Sequence, residues 1–150
     1  MKPLFVLIGS FLIALLIIRL YSGQFGFRLA GRVAMAIMLV FTAIGHFVFS
    51  KGMTAMVPEF VPLREQMVLL TGVMEILFAI GLLIPAYSQY VGWALIIFFL
   101  LVLPSNIKAA VDNLNYQTGA YDGPGLSYLW FRIPLQALFI VWVYLSAIKK

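Results

Sequence analysis

The chain has 150 residues, of which 64% are hydrophobic and 10% charged, and its net charge is +5. A soluble domain carries about 25% charged residues and about half apolar ones, so this composition, with a mean hydropathy of +1.08, points to a polytopic membrane protein. The absence of cysteine excludes thiol–disulfide chemistry, iron–sulfur clusters and thiolate metal sites. The basic residues are scattered over loops and ends and form no stripe interleaved with exposed aromatics, so nucleic acid is not an expected partner.

Five apolar segments are each long enough to cross a hydrocarbon core of about 30 Å at about 1.5 Å per residue. They are predicted near residues 4–21, 33–50, 66–86, 90–106 and 127–148. The first could be a signal peptide, but Lys2 is a thin basic region, Arg19 closes the apolar run and no small-residue cleavage site follows. An uncleaved anchor is the expectation. Between the third and fourth segments lies only "PAYSQY", which forces an antiparallel hairpin.

Two longer connections remain. "KGMTAMVPEFVPLRE" carries Pro58 and Pro62, which set extended backbone around apolar side chains such as Phe60, and it reads as a lid. "DNLNYQTGAYDGPGLS" is rich in turn residues, with Tyr116 and Tyr121 suited to the headgroup region. Long loops in so short a chain are more often functional than idle.

Orientation follows from the basic residues near short loops. Arg19, Arg28 and Arg32 cluster between the first two segments, and Lys149 and Lys150 close the chain. Five crossings put both groups on one side, the cytoplasmic one. The expectation is N-terminus out and C-terminus in, in a bacterial inner membrane.

The polar residues inside the apolar segments are few. At about 1.5 Å per residue, His46 lies about 6 Å inside the outer end of the second segment and Glu75 about 14 Å inside the start of the third. Asn106 ends the fourth, while Arg132 and Gln136 stand one helical turn apart early in the fifth. Thr42 extends the His46 face one turn deeper. Four segments thus place polar groups at one outer level, and the first places none. Pro104 and Pro134 free the carbonyls of Leu100 and Trp130 at that level.

A carboxylate at membrane depth costs several kcal/mol, with about 2.5–3.5 for Asp on insertion scales. Glu75 is therefore expected to face a pocket with Arg132 as counter-charge, helped by Gly72 and Ala79, small residues on its own face that permit close helix approach. The pocket comprises Thr42, His46, Glu75, Asn106, Arg132 and Gln136. The plainer alternative is a structural ion pair, with His46 and Asn106 satisfying stray carbonyls. Met53 and Met56 near His46 form a weak Cu(I) candidate, since thioethers and imidazole suit that ion, although Met is also a common filler. One His and no Cys leave zinc without ligands.

These residues resemble the DoxX family of membrane proteins. The similar pattern runs through "GHFVF", "MVPEFVP", "TGVMEILFAIGLLIP", "LPSNIKAA" and "RIPLQALFIVW", over roughly residues 32–146. The resemblance implies an all-α bundle with a four-helix core over residues 32–150 and an added helix and loop over 1–31. Its pattern carries over onto His46, Pro58, Glu75, Pro104, Asn106, Arg132 and Gln136. Members of that family resemble the small subunit of an archaeal thiosulfate:quinone oxidoreductase, components of mycobacterial oxidative-stress complexes and animal receptor-assembly chaperones. The lack of cysteine sets this chain apart from branches that use thiols.

The leading expectation is a binding or accessory subunit of the membrane. Its outer pocket would hold a hydrophobic ligand with a polar head (a quinone or a lipid) or a helix of a partner protein or second copy. The alternative is a subunit of a quinone-linked oxidoreductase, in which His46 and Glu75 move protons and quinone is the cofactor. A structural cluster in an assembly chaperone is the third. A transporter fits poorly, because no inverted repeat is visible.

Overall fold

The computed structural model describes residues 2–149; Lys150, used in the orientation argument, lies outside the described residues. The described residues are all helical apart from loops and turns. Helix α1 spans Lys2–Ser22, α2 Phe27–Val48, α3 Ser50–Met56, α4 Arg64–Leu83, α5 Ser88–Val111 and α6 Leu129–Val143. A 3₁₀ turn, Gly125–Tyr128, leads into α6, and a π turn, Tyr144–Ile148, ends it. Five of these stretches are long and apolar enough to cross a membrane, α6 counting together with its two flanking turns. Such a set is consistent with a membrane protein.

Helix α2 is the centre of the bundle. Its small residues Ala30, Gly31, Ala34, Ala36 and Ala43 are buried, and small side chains let neighbouring backbones approach closely. It packs most heavily on α4 and α1, and also on the end of α6. At its first turns Trp142 Nε1 donates to Gly31 O at 3.0 Å, which ties α6 to α2. The shared core holds Met35, Leu39, Leu95, Phe99, Phe139 and Val143, and Leu7 of α1 is fully buried in it. Phe11 of α1 meets Trp142 edge-on at 5.0 Å. The outward faces of the long helices stay apolar and exposed, as at Leu12, Leu16, Leu77 and Leu101.

Several boundaries differ from expectation. The connection after the second crossing is not extended throughout, because Ser50–Met56 forms a helix, and extended backbone begins only at Val57. Helix α2 starts at Phe27, six residues before the predicted Val33, so Arg28 and Arg32 lie in its first turns. Arg19 lies in the last turn of α1, which leaves a loop of only Gly23–Gly26. Helix α5 runs through Pro104 to Val111, which places Asn106 inside it rather than at its end. The short "PAYSQY" hairpin is present, with Tyr87 N donating to Ile84 O at 3.1 Å.

The two long connections meet at one end of the bundle. Lys108 Nζ of α5 donates to Ala55 O of α3 at 3.2 Å. A Cβ on Gly52 would lie 2.0 Å from Tyr116 O, so only glycine lets the loop backbone lie directly on α3.

Candidate functional site

The polar residues expected in one pocket fall into two separate groups. The first lies between α2 and α4. His46 Nε2 stands 3.7 Å from Glu75 Oε2, with side-chain exposures of 18% and 8%. His46 Nδ1 lies 3.1 Å from Val68 O and 3.1 Å from Thr71 Oγ1. Thr71 Oγ1 itself donates to Val68 O at 2.8 Å. The close packing of these helices depends on Gly72, where a Cβ would come within 2.9 Å of His46 Cβ.

The contact with Val68 O is made by the tautomer that carries its proton on Nδ1. A carbonyl oxygen only accepts, so Nδ1 carries a proton and donates it to Val68 O. Nε2 is thereby turned to the carboxyl group. At 3.7 Å Nε2 and Oε2 lie beyond hydrogen-bond reach, and a proton on either atom relieves the repulsion of two facing lone-pair surfaces in a buried site. The pair is then either imidazole with carboxylic acid or imidazolium with carboxylate, and its net charge is zero in both. The Thr42 hydroxyl adjoins the carboxyl but lies within bonding reach of Leu39 O at 3.0 Å and Met38 O at 3.2 Å. Among the described residues Glu75 Oε2 has no hydrogen-bond partner.

The second group lies where α5, the following loop and α6 meet. Arg132 Nη1 donates to Asn106 Oδ1, and the guanidinium carbon stands 5.1 Å from the Tyr128 ring centroid and 5.8 Å from that of Tyr116. Both separations are within the cation–π range of about 6 Å. These four residues line a cleft of about 280 Å³, together with Lys2, Asn115 and Gln117. Farther into the bundle Gln136 Nε2 donates to Phe99 O, one residue before the carbonyl that Pro104 was expected to free.

Arg132 is thus not the counter-charge of Glu75. Matching depth along the helix axes said nothing about direction around them: Glu75 faces α2, whereas Arg132 faces the end of α5. Nor is the first helix without a polar contribution, because Lys2 lines the cleft. Of the expected lid residues, Pro58, Phe60 and Pro62 do not border the cleft, and Phe60 is 85% exposed. The thioether candidate dissolves too. Met56 is buried against Ala109 and Leu114, with Met53 packed on the same cluster, and the histidine nitrogens face Val68, Thr71 and Glu75.

Sequence reading missed Thr71, Tyr128 and Lys2. A signal existed for two of them: Thr71 precedes Glu75 by four residues and Tyr128 precedes Arg132 by four, the spacing that stacks side chains on one helix face. Nothing local linked Lys2 to Arg132.

A family described as a domain of unknown function (DUF8561) matches residues 35–147, well over half of the chain. The chain belongs to that family. Comparison with curated proteins and with solved structures found no match. The matched range begins inside α2 and takes in both polar groups apart from Lys2.

Proposed function

We propose that this chain is a DoxX-like integral protein of a bacterial inner membrane. It acts as a binding or accessory subunit, with N-terminus out and C-terminus in. Its outer cleft takes the polar head of a hydrophobic ligand, a lipid or a quinone, while the tail runs along the apolar helices. The observation that carries this reading is the Arg132 cleft at the loop-bearing end of the bundle. Its volume of about 280 Å³ falls just below the roughly 300–1,000 Å³ typical of small-molecule sites, which suits a head and not a whole lipid. Around it stand exposed apolar and aromatic side chains, among them Leu126 and Trp130, of the kind that favour the membrane interface.

The test is organic extraction of the purified protein followed by mass spectrometry. A stoichiometric lipid or quinone is expected from the wild type and a clear loss from Arg132→Gln. No retained ligand, or equal retention by both proteins, would overturn the reading. One observation favours the oxidoreductase alternative: His46 and Glu75 are titratable groups 3.7 Å apart between two apolar helices, which a quinone-linked reaction could use for proton transfer. Reduction of a soluble quinone analogue that is lost in Glu75→Gln would support it.

A further inference from the structure

Lys2 and Arg132 reach the same cleft from opposite ends of the chain, and among the described residues that line it there is no Asp or Glu. Two carboxylates stand two residues from lining positions: Asp112 is held by Lys108 at 2.6 Å, and Asp122, before Pro124, is exposed; Arg132 has no ion-pair partner among the described residues. The other polar groups are turned into donors by their neighbours. Asn106 Oδ1 is taken by Arg132, which leaves its amide N–H₂ as the available function. Asn115 Oδ1 accepts from Gln117 N at 3.1 Å, with the same consequence. Among the described residues one guanidinium N–H finds a hydrogen-bond partner, and Tyr116 and Tyr128 hold the planar group in place. Arg offers five donors in a rigid fork that matches phosphate and carboxylate oxygens.

From these features we infer that the cleft selects an anionic head, the phosphate of an acidic phospholipid, over a quinone or a zwitterionic lipid. This rests on the reading that the cleft binds a ligand head. A quinone carbonyl can accept hydrogen bonds, but it neutralises neither cation. A zwitterionic head brings its own cation into a site that already has two. A phosphate with net negative charge satisfies both Lys2 and Arg132 and accepts from the amides.

The experiment uses the full chain in detergent micelles doped with labelled phosphatidylglycerol, phosphatidylcholine or ubiquinone, with retention read by native mass spectrometry. Phosphatidylglycerol should be retained by the wild type and by Arg132→Lys more strongly than by Arg132→Gln, the last being weakened about tenfold, as expected for loss of a charge-assisted hydrogen bond. Lys2→Gln, at an exposed position, should weaken it in the same direction. Phosphatidylcholine and ubiquinone should bind less well and respond little to either change. Equal retention of all three, each weakened by Arg132→Gln, would overturn the anionic selection and leave the cleft reading intact. No retention sensitive to cleft substitutions would overturn both. Displacement of phosphatidylglycerol by excess inorganic phosphate, with phosphate alone stabilising the wild type but not Arg132→Gln, would make the ligand a soluble anion and overturn the phospholipid.

Discussion

His46 Nε2 lies 3.7 Å from Glu75 Oε2, and the imidazole, not a guanidinium, accompanies the carboxyl group into the bundle. With a proton on either partner the pair carries no net charge, which lowers the cost of a buried acid. In a double-mutant cycle on thermal stability in detergent, His46→Ala and Glu75→Gln should couple by more than about 0.5 kcal/mol. Glu75→Gln and Arg132→Gln should be additive within about 0.5 kcal/mol. Strong coupling in the second cycle would mean that Arg132 reaches Glu75 after all.

Glycine-to-alanine changes should differ sharply by position. At Gly72 a Cβ would sit 2.9 Å from His46 Cβ, so Gly72→Ala should push α4 from α2 and cost about 1–3 kcal/mol. Gly9 has nothing within 4 Å, so Gly9→Ala should be neutral or stabilise by up to about 1 kcal/mol through lower chain entropy. Thermal unfolding of both variants checks the contrast, and equal effects would mean that α2 and α4 are not in close contact at Gly72.

Gly52 should matter to the cleft without lining it. A Cβ there meets Tyr116 O at 2.0 Å, so Gly52→Ala must lift the loop from α3 and carry Tyr116 away from Arg132. Hydrogen exchange should accelerate across residues 113–121 while the α2–α4 contact stays protected. Unchanged protection of the loop would count against its seating on α3.

The two long connections share one end of the bundle, joined by the Lys108–Ala55 bond. A periplasmic reporter inserted near Gly119 should be active, and one fused after Lys150 inactive. The reverse outcome would invert the proposed orientation while keeping both polar groups on a common side.

By itself the sequence determined the class of molecule and the number of apolar helices, because length and hydropathy act locally and need no partner. It also singled out His46, Glu75, Asn106 and Arg132 as polar groups in apolar surroundings, since each is costly wherever its helix turns. Which of them meet was decided by tertiary structure alone. Depth along a helix follows from residue count, but direction around it follows from packing. The small residues of α2 draw α4 close enough to join His46 to Glu75, and the helical continuation of α5 past Pro104 carries Asn106 to Arg132. Helix α3 and the seat of Tyr116 on Gly52 were hidden for the same reason: each is stabilised by contacts between segments far apart in the chain. Lys2 is the extreme case, being brought to the cleft from the opposite end of the sequence by the burial of Leu7 in the common core.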